Sequence, residues 1–145
     1  MENLEGSVAS ITFTVLRSGL KPDVKIELVA IDDIGRFGAA VFRNSDHCKG
    51  KAFTVTGDIL TMVEMDAAYV RATGKHHPSL PNLVGKLITT MSGSVKEVSK
   101  DYERMYKILL EQESIDAHLK EAREVLPDMT SFESWVRQKQ GTKSG

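Results

Sequence analysis

Two neighbouring imidazoles, His76 and His77, are the first residues whose types could do chemistry, as metal ligands or as an acid–base pair. Adjacent side chains point in different directions and no third ligand lies close in sequence, so metal binding is disfavoured. The pair reads as decoration of a loop, with a substrate contact as the functional alternative. A second pair, Asp32-Asp33 beside Gly35-Arg36, could divide its pKa values and act as acid and base. The simpler account is a helix cap, with one carboxylate accepting the free backbone N–H groups of a following helix. Cys48, in Asp46-His47-Cys48-Lys49, has basic neighbours that could activate a thiol, but no nucleophile pattern surrounds it and a surface or half-buried structural role is expected. No G-x-S-x-G elbow, G-x-G-x-x-G turn or phosphate-cradling loop occurs.

The elements that must position these groups follow from patterning. Val24, Ile26, Leu28 and Ala30 alternate with polar or smaller residues and predict a strand over 24–30, after a turn at Lys21-Pro22-Asp23. Ile34, Phe37, Val41 and Phe42 fall at helical spacing, and Asn44-Ser45-Asp46 ends that helix. Ala52–Thr56 predicts a second strand, and strand, helix, strand implies a crossover and a parallel pair. Upstream, the segment from Ser7 to Leu16 fits both alternation and a helix face.

Thr61 and Glu64 stand three apart, as a capping box requires, and predict a helix to Thr73 closed by Gly74. His76 to Pro81 then reads as an extended connector, because each proline disfavours helix at the residue before it. Beyond it, Val95, Val98, Tyr102, Met105, Tyr106 and Leu109 mark a helix face, with Glu103 and Lys107 as a surface pair. Ser114 caps a further helix with the stripe Ile115, Leu119, Ala122 and Leu126, which Pro127 stops. Thr130 and Glu133 suggest a second capping box, opening a helix with Phe132, Trp135 and Val136 inward, before a frayed tail at 141–145.

A chain of 145 residues with 41% hydrophobic and 27% charged residues suits one domain with a modest core. Nineteen Lys and Arg against twenty Asp and Glu give a net charge of -1, which argues against a nucleic-acid backbone or an anionic membrane surface as partner. One cysteine allows no intramolecular disulfide, and the opening MENLEGSVAS has no apolar run. Both point to a soluble protein of the cytoplasm or nucleus.

Four blocks carry a family resemblance. The run VKIELVAIDDIGRFGAAVFR, Val24 to Arg43, resembles the strand and "(V/I)-x-D-(I/L)-G-(R/x)-x-A" helix of NmrA-like proteins, a branch of the atypical short-chain dehydrogenase/reductase group. Lys49-Gly50-Lys51-Ala52 and Val55-x-Gly57-Asp58-x-Leu60-Thr61 resemble the family's "Y-x-G-K-x-x-x-L-x-(G/S)-D-x-L-T" block, followed by "T-G-K" at Thr73-Gly74-Lys75. Met129 to Trp135 is similar to the family's terminal "L-(T/M)-(S/T)-F-E-x-W-(L/V)". Met1-Glu2-Asn3-Leu4 resembles the "(Y/F)-M-E-N-F" segment near the family's cofactor–substrate cleft.

The resemblance implies an α/β fold: residues 1–140 as the carboxy-terminal, substrate-side half of a doubly wound Rossmann-type domain, with two short strands and a mainly helical remainder. The family's glycine-rich dinucleotide turn has no counterpart here, so the chain looks like a truncated product or a fragment. NADP or NAD is the implied cofactor, not bound by this chain alone. The implied function is a NAD(P)-linked regulatory or binding protein, with a transcription regulator or other protein as partner, or a homo-oligomer. An isoflavone-reductase-like NAD(P)H-dependent oxidoreductase is the first alternative and a helical interaction module the second.

Short-chain dehydrogenases use a Tyr-x-x-x-Lys pair. Tyr69, Tyr102 and Tyr106 are followed at plus four by Thr73, Tyr106 and Leu110, so catalysis by this chain alone is not expected. The site residues singled out are Asn3, Asp33, His76 and His77: Asn3 in the cleft, Asp33 fixing the strand-to-helix turn, and the histidines near a pocket mouth.

Overall fold

The computed structural model describes residues 1–4, 9–77, 81, 93–111 and 115–143. A short 3-10 turn at Glu2–Leu4 precedes helix α1, Ala9–Gly19, which settles the ambiguous upstream segment as helical from residue 9 onward. Phe13, Leu16 and Leu20 recur at three- and four-residue spacing and all pack into the main core, whereas a strand would have divided them between two faces.

After the turn at 21–23, strand β1 spans Lys25–Leu28 with Ile26 and Leu28 buried. Helix α2, Ile31–Arg43, follows, then the four-residue helix α3, Ser45–Cys48. Strand β2 is Asp58–Thr61, and it pairs antiparallel with β1 in the register Lys25↔Thr61 to Leu28↔Asp58. Both the strand expected at Ala52–Thr56 and the parallel crossover are therefore corrected. In a crossover the helix itself returns the chain to the start of the first strand. Here Gly50, at φ 75, turns the chain after α3, and residues 51–57 carry it to the far end of β1. There the Gly57 N–H meets the Leu28 carbonyl at 2.8 Å, and β2 runs back along β1.

Helix α4, Met62–Thr73, begins with the complete capping box: the Glu64 N–H donates to Thr61 Oγ1, and the Thr61 N–H to the Glu64 carboxylate. Gly74, at φ 73, ends it in the left-handed conformation that glycine adopts without a Cβ penalty. Helix α5 spans Gly93–Glu111 and α6 spans Ile115–Val125. The expected Glu103–Lys107 pair does not form; Glu103 instead meets Lys21 at 3.4 Å, tying α5 to the turn after α1. Of the expected α5 face, Tyr106 packs on the core, and the other five side chains lie outside the described residues, as does Ser114.

Helix α7, Phe132–Lys143, continues through residues expected to fray. Its cap is Ser131, not Thr130: Ser131 Oγ accepts the Ser134 N–H at 3.2 Å, while Glu133 turns outward to Arg71 and Arg137. The Thr130 N–H is already bound to Asp33, so it anchors the approach to the helix rather than opening a box.

The chain is thus mixed and mostly helical, with one small antiparallel sheet. Its main core joins α1, β1, α4 and α7 through Phe13, Ile26, Met65, Phe132 and Trp135. A second cluster holds Phe37 of α2 against Ala122, Leu126 and Met129. No described helix is long and apolar enough to cross a membrane.

Candidate functional site

A cavity of about 410 Å³ opens between α1, the turn after it and the first half of α4. Leu20, Pro22, Met62 and Val63 give it apolar walls, and Arg17, Lys21, Asp66 and His77 bring charge or polarity. The fold places His77 there by local geometry. Asp66 sits on α4 about two turns before its end, and Gly74 reverses the chain, so the histidines come back beside that carboxylate.

The two imidazoles then part company. His76 is exposed, with Nδ1 at 2.7 Å from Asp66 Oδ2. His77 is only 4% exposed; its backbone N–H donates to Asp66 Oδ1 at 3.4 Å and its Nε2 lies 3.6 Å from the same oxygen. Its ring stacks on Phe13 at 4.0 Å between centroids, 13° from parallel, with Tyr69 edge-on at 6.2 Å. Partial burial pushes the Asp66 carboxyl up, but the His76 hydrogen bond, the His77 N–H and the charge of both rings outweigh it and hold the group below its ordinary range.

This arrangement fixes an imidazole between a ring stack and a carboxylate, half of an acid–base relay. None of the described lining residues carries a hydroxyl or thiol. What the walls do offer is an apolar surface rimmed by two cations against one carboxylate, and Lys21 is shared with Glu103 while Arg17 is exposed. Arg17, in no ion pair among the described residues, is the group that could meet an anion there.

The other singled-out residues lie elsewhere. Asp33 is fully buried on α2, where its carboxylate accepts the Thr130 N–H at 2.6 Å and Arg36 Nη1 at 2.8 Å. The N-cap residue Ala30 makes no side-chain cap bond and the Ile31 N–H donates to the Glu2 carboxylate at 3.2 Å, so the expected Asp cap is corrected: Asp33 faces inward and joins α2 to the approach of α7. Asn3 belongs to the turn Glu2–Leu4, and its side chain lies outside the described residues. Leu4 lines a separate apolar cavity of about 420 Å³, walled by α1 and β1. Cys48 is buried, and among the described residues no three His, Cys, Asp or Glu gather as a metal site.

Sequence reasoning missed Arg17, Lys21 and Asp66. Arg17 and Lys21 bracket the Ser18-Gly19 helix end, and Asp66 stands ten residues before His76; only the reversal at Gly74 reveals that these belong together. Comparison with protein-family models, with curated proteins and with solved structures finds no match for this chain.

Proposed function

We propose that the chain is a ligand-binding lobe, the counterpart of the substrate-side half of an NmrA-like NAD(P)-linked protein, and that it binds rather than turns over. The reading rests on the sequence blocks from Val24 to Trp135. The observation that supports a binding role is the buried His77, held by Phe13 and Asp66 in the wall of a 410 Å³ cavity with Arg17 and Lys21 at its rim. A small ligand with an apolar body and one anionic group suits that lining. Dinucleotide contact, and the doubly wound sheet that provides it, belong in this reading to a nucleotide-binding half that carries the glycine-rich turn.

The test is titration of the isotopically labelled chain, followed by backbone amide spectra. Benzoate and phenyl phosphate are expected to shift the amides of Arg17, Met62 and His77, benzyl alcohol to do so less, and NADP, NADPH, NAD and NADH to leave them in place. Equal shifts with the uncharged probe, or none with either anion at millimolar concentration, would overturn the binding site. Micromolar binding of a dinucleotide by the chain alone would overturn its assignment as the lobe without the nucleotide site.

A further inference from the structure

Helix α2 turns Asp33, Phe37 and Ala40 inward. Its opposite face is also apolar: Ile31, Gly35, Gly38 and Phe42 follow one another at i, i+4, i+7 and i+11, a single line along a helix. Phe42 is 85% exposed, Ile31 61%, and Ile34 beside them 49%. Among the described residues nothing in the protomer requires the two glycines. Among the described residues a Cβ at Gly35 or Gly38 would meet nothing within 4 Å, neither has a positive φ, and glycine inside a helix is destabilising relative to alanine. What they create is a hollow at the centre of the face, between the Ile31 and Phe42 side chains.

We propose that this face is a self-association surface on which a second copy of the chain docks its own α2 antiparallel, about a two-fold axis between Gly35 and Gly38. The face is complementary to itself under that operation: it exchanges Ile31 with Phe42, so the large side chains meet at both ends while the glycines let the backbones approach in the middle. The charges select the same arrangement. Asp32 and Arg43 lie on one flank of α2 at opposite ends, both exposed, and neither joins an ion pair among the described residues. Antiparallel pairing sets Asp32 of one copy near Arg43 of the other, twice; parallel pairing about a two-fold would leave each without an opposite charge across the seam. Opposed helix dipoles add in the same sense.

A helix of 13 residues is about 20 Å long, so the contact falls short of the roughly 1,000 Å² of a stable interface. The dimer is accordingly weak and forms only at high protein concentration. Sedimentation velocity from about 5 µM to about 1 mM reads it directly. The wild-type average mass is expected to rise toward two protomers, and Phe42→Asp to weaken association at least tenfold with an unchanged thermal midpoint, because that ring touches little within the protomer. Asp32→Lys and Arg43→Glu are each expected to weaken it several-fold and the double reversal to recover it. A wild-type chain that stays monomeric across the range overturns the proposal. So does a dimer indifferent to Phe42→Asp, or one that the double reversal does not restore.

Discussion

Replacing Asp33 by alanine removes the buried carboxylate that joins α2 to the approach of α7, across 97 positions of sequence. Two losses add. The Thr130 N–H, now bound at 2.6 Å, is left without its acceptor in a partly buried place, which costs about 1–3 kcal/mol. Arg36 loses one of its two carboxylates but is 41% exposed and keeps Asp128, so that loss is screened to about 1 kcal/mol or less. The sum, about 2–4 kcal/mol, corresponds to a fall in thermal midpoint of about 6–12 °C for a chain of this size. Asp33→Asn keeps an oxygen for Thr130 and is expected to cost about half as much. Urea unfolding followed by the single tryptophan, Trp135, measures both, because that ring is buried against Phe132 on α7 and reports the docking of that helix. A cost below 1 kcal/mol for Asp33→Ala, at unchanged m-value, would show that the buried carboxylate is not the anchor argued here.

Gly57→Ala should be at least as damaging, since its Cβ would lie 2.6 Å from the Thr130 carbonyl oxygen, a backbone atom; circular dichroism melts check it against the harmless Gly35→Ala. Thr61→Ala breaks the capping box of α4 and is expected to cost about 1 kcal/mol, read from the urea midpoint. Asp66 is depressed in the folded chain, so its contribution to stability is present above its unfolded pKa and is lost as pH falls through the folded one; Glu64, lowered by the Thr61 hydrogen bonds, has the same sign. Stability should therefore decline below about pH 4, and Asp66→Asn should flatten part of that decline in urea titrations across pH 3–6.

Local rules carried much of the architecture. The capping box at Thr61 and Glu64, the glycine cap at 74 and the Phe132, Trp135, Val136 face could be read because each depends on residues a few positions apart. The strand at 24–30 was legible for the same reason, although only Lys25–Leu28 pairs. Strand direction was not, because it depends on how far residues 49–57 travel before pairing, which alternation does not encode. The Asp32-Asp33 cap failed for a related cause. Its chemistry was locally sound, but a long-range donor at Thr130 took the carboxylate. The cavity was half legible: the histidines stood out by type, while Arg17, Lys21 and Asp66 gain meaning only once Gly74 has turned the chain.

The ties that converge on residues 128–137 set an order of events. Asp33 waits for Thr130, Asp58 for the Phe132 N–H, Arg36 for Asp128 and Arg71 for Glu133, partners 97, 74, 92 and 62 positions downstream. Such distant closures are slow, because loop entropy must be overcome before the contacts form. During synthesis, everything up to about Leu126 emerges with Asp33 and Asp58 still lacking their downstream N–H partners and the hydrophobic slot for Phe132 open. The ten-residue stretch 128–137 is then a clasp that locks last, and the chain is most exposed to proteolysis and to sticking in the interval before it arrives.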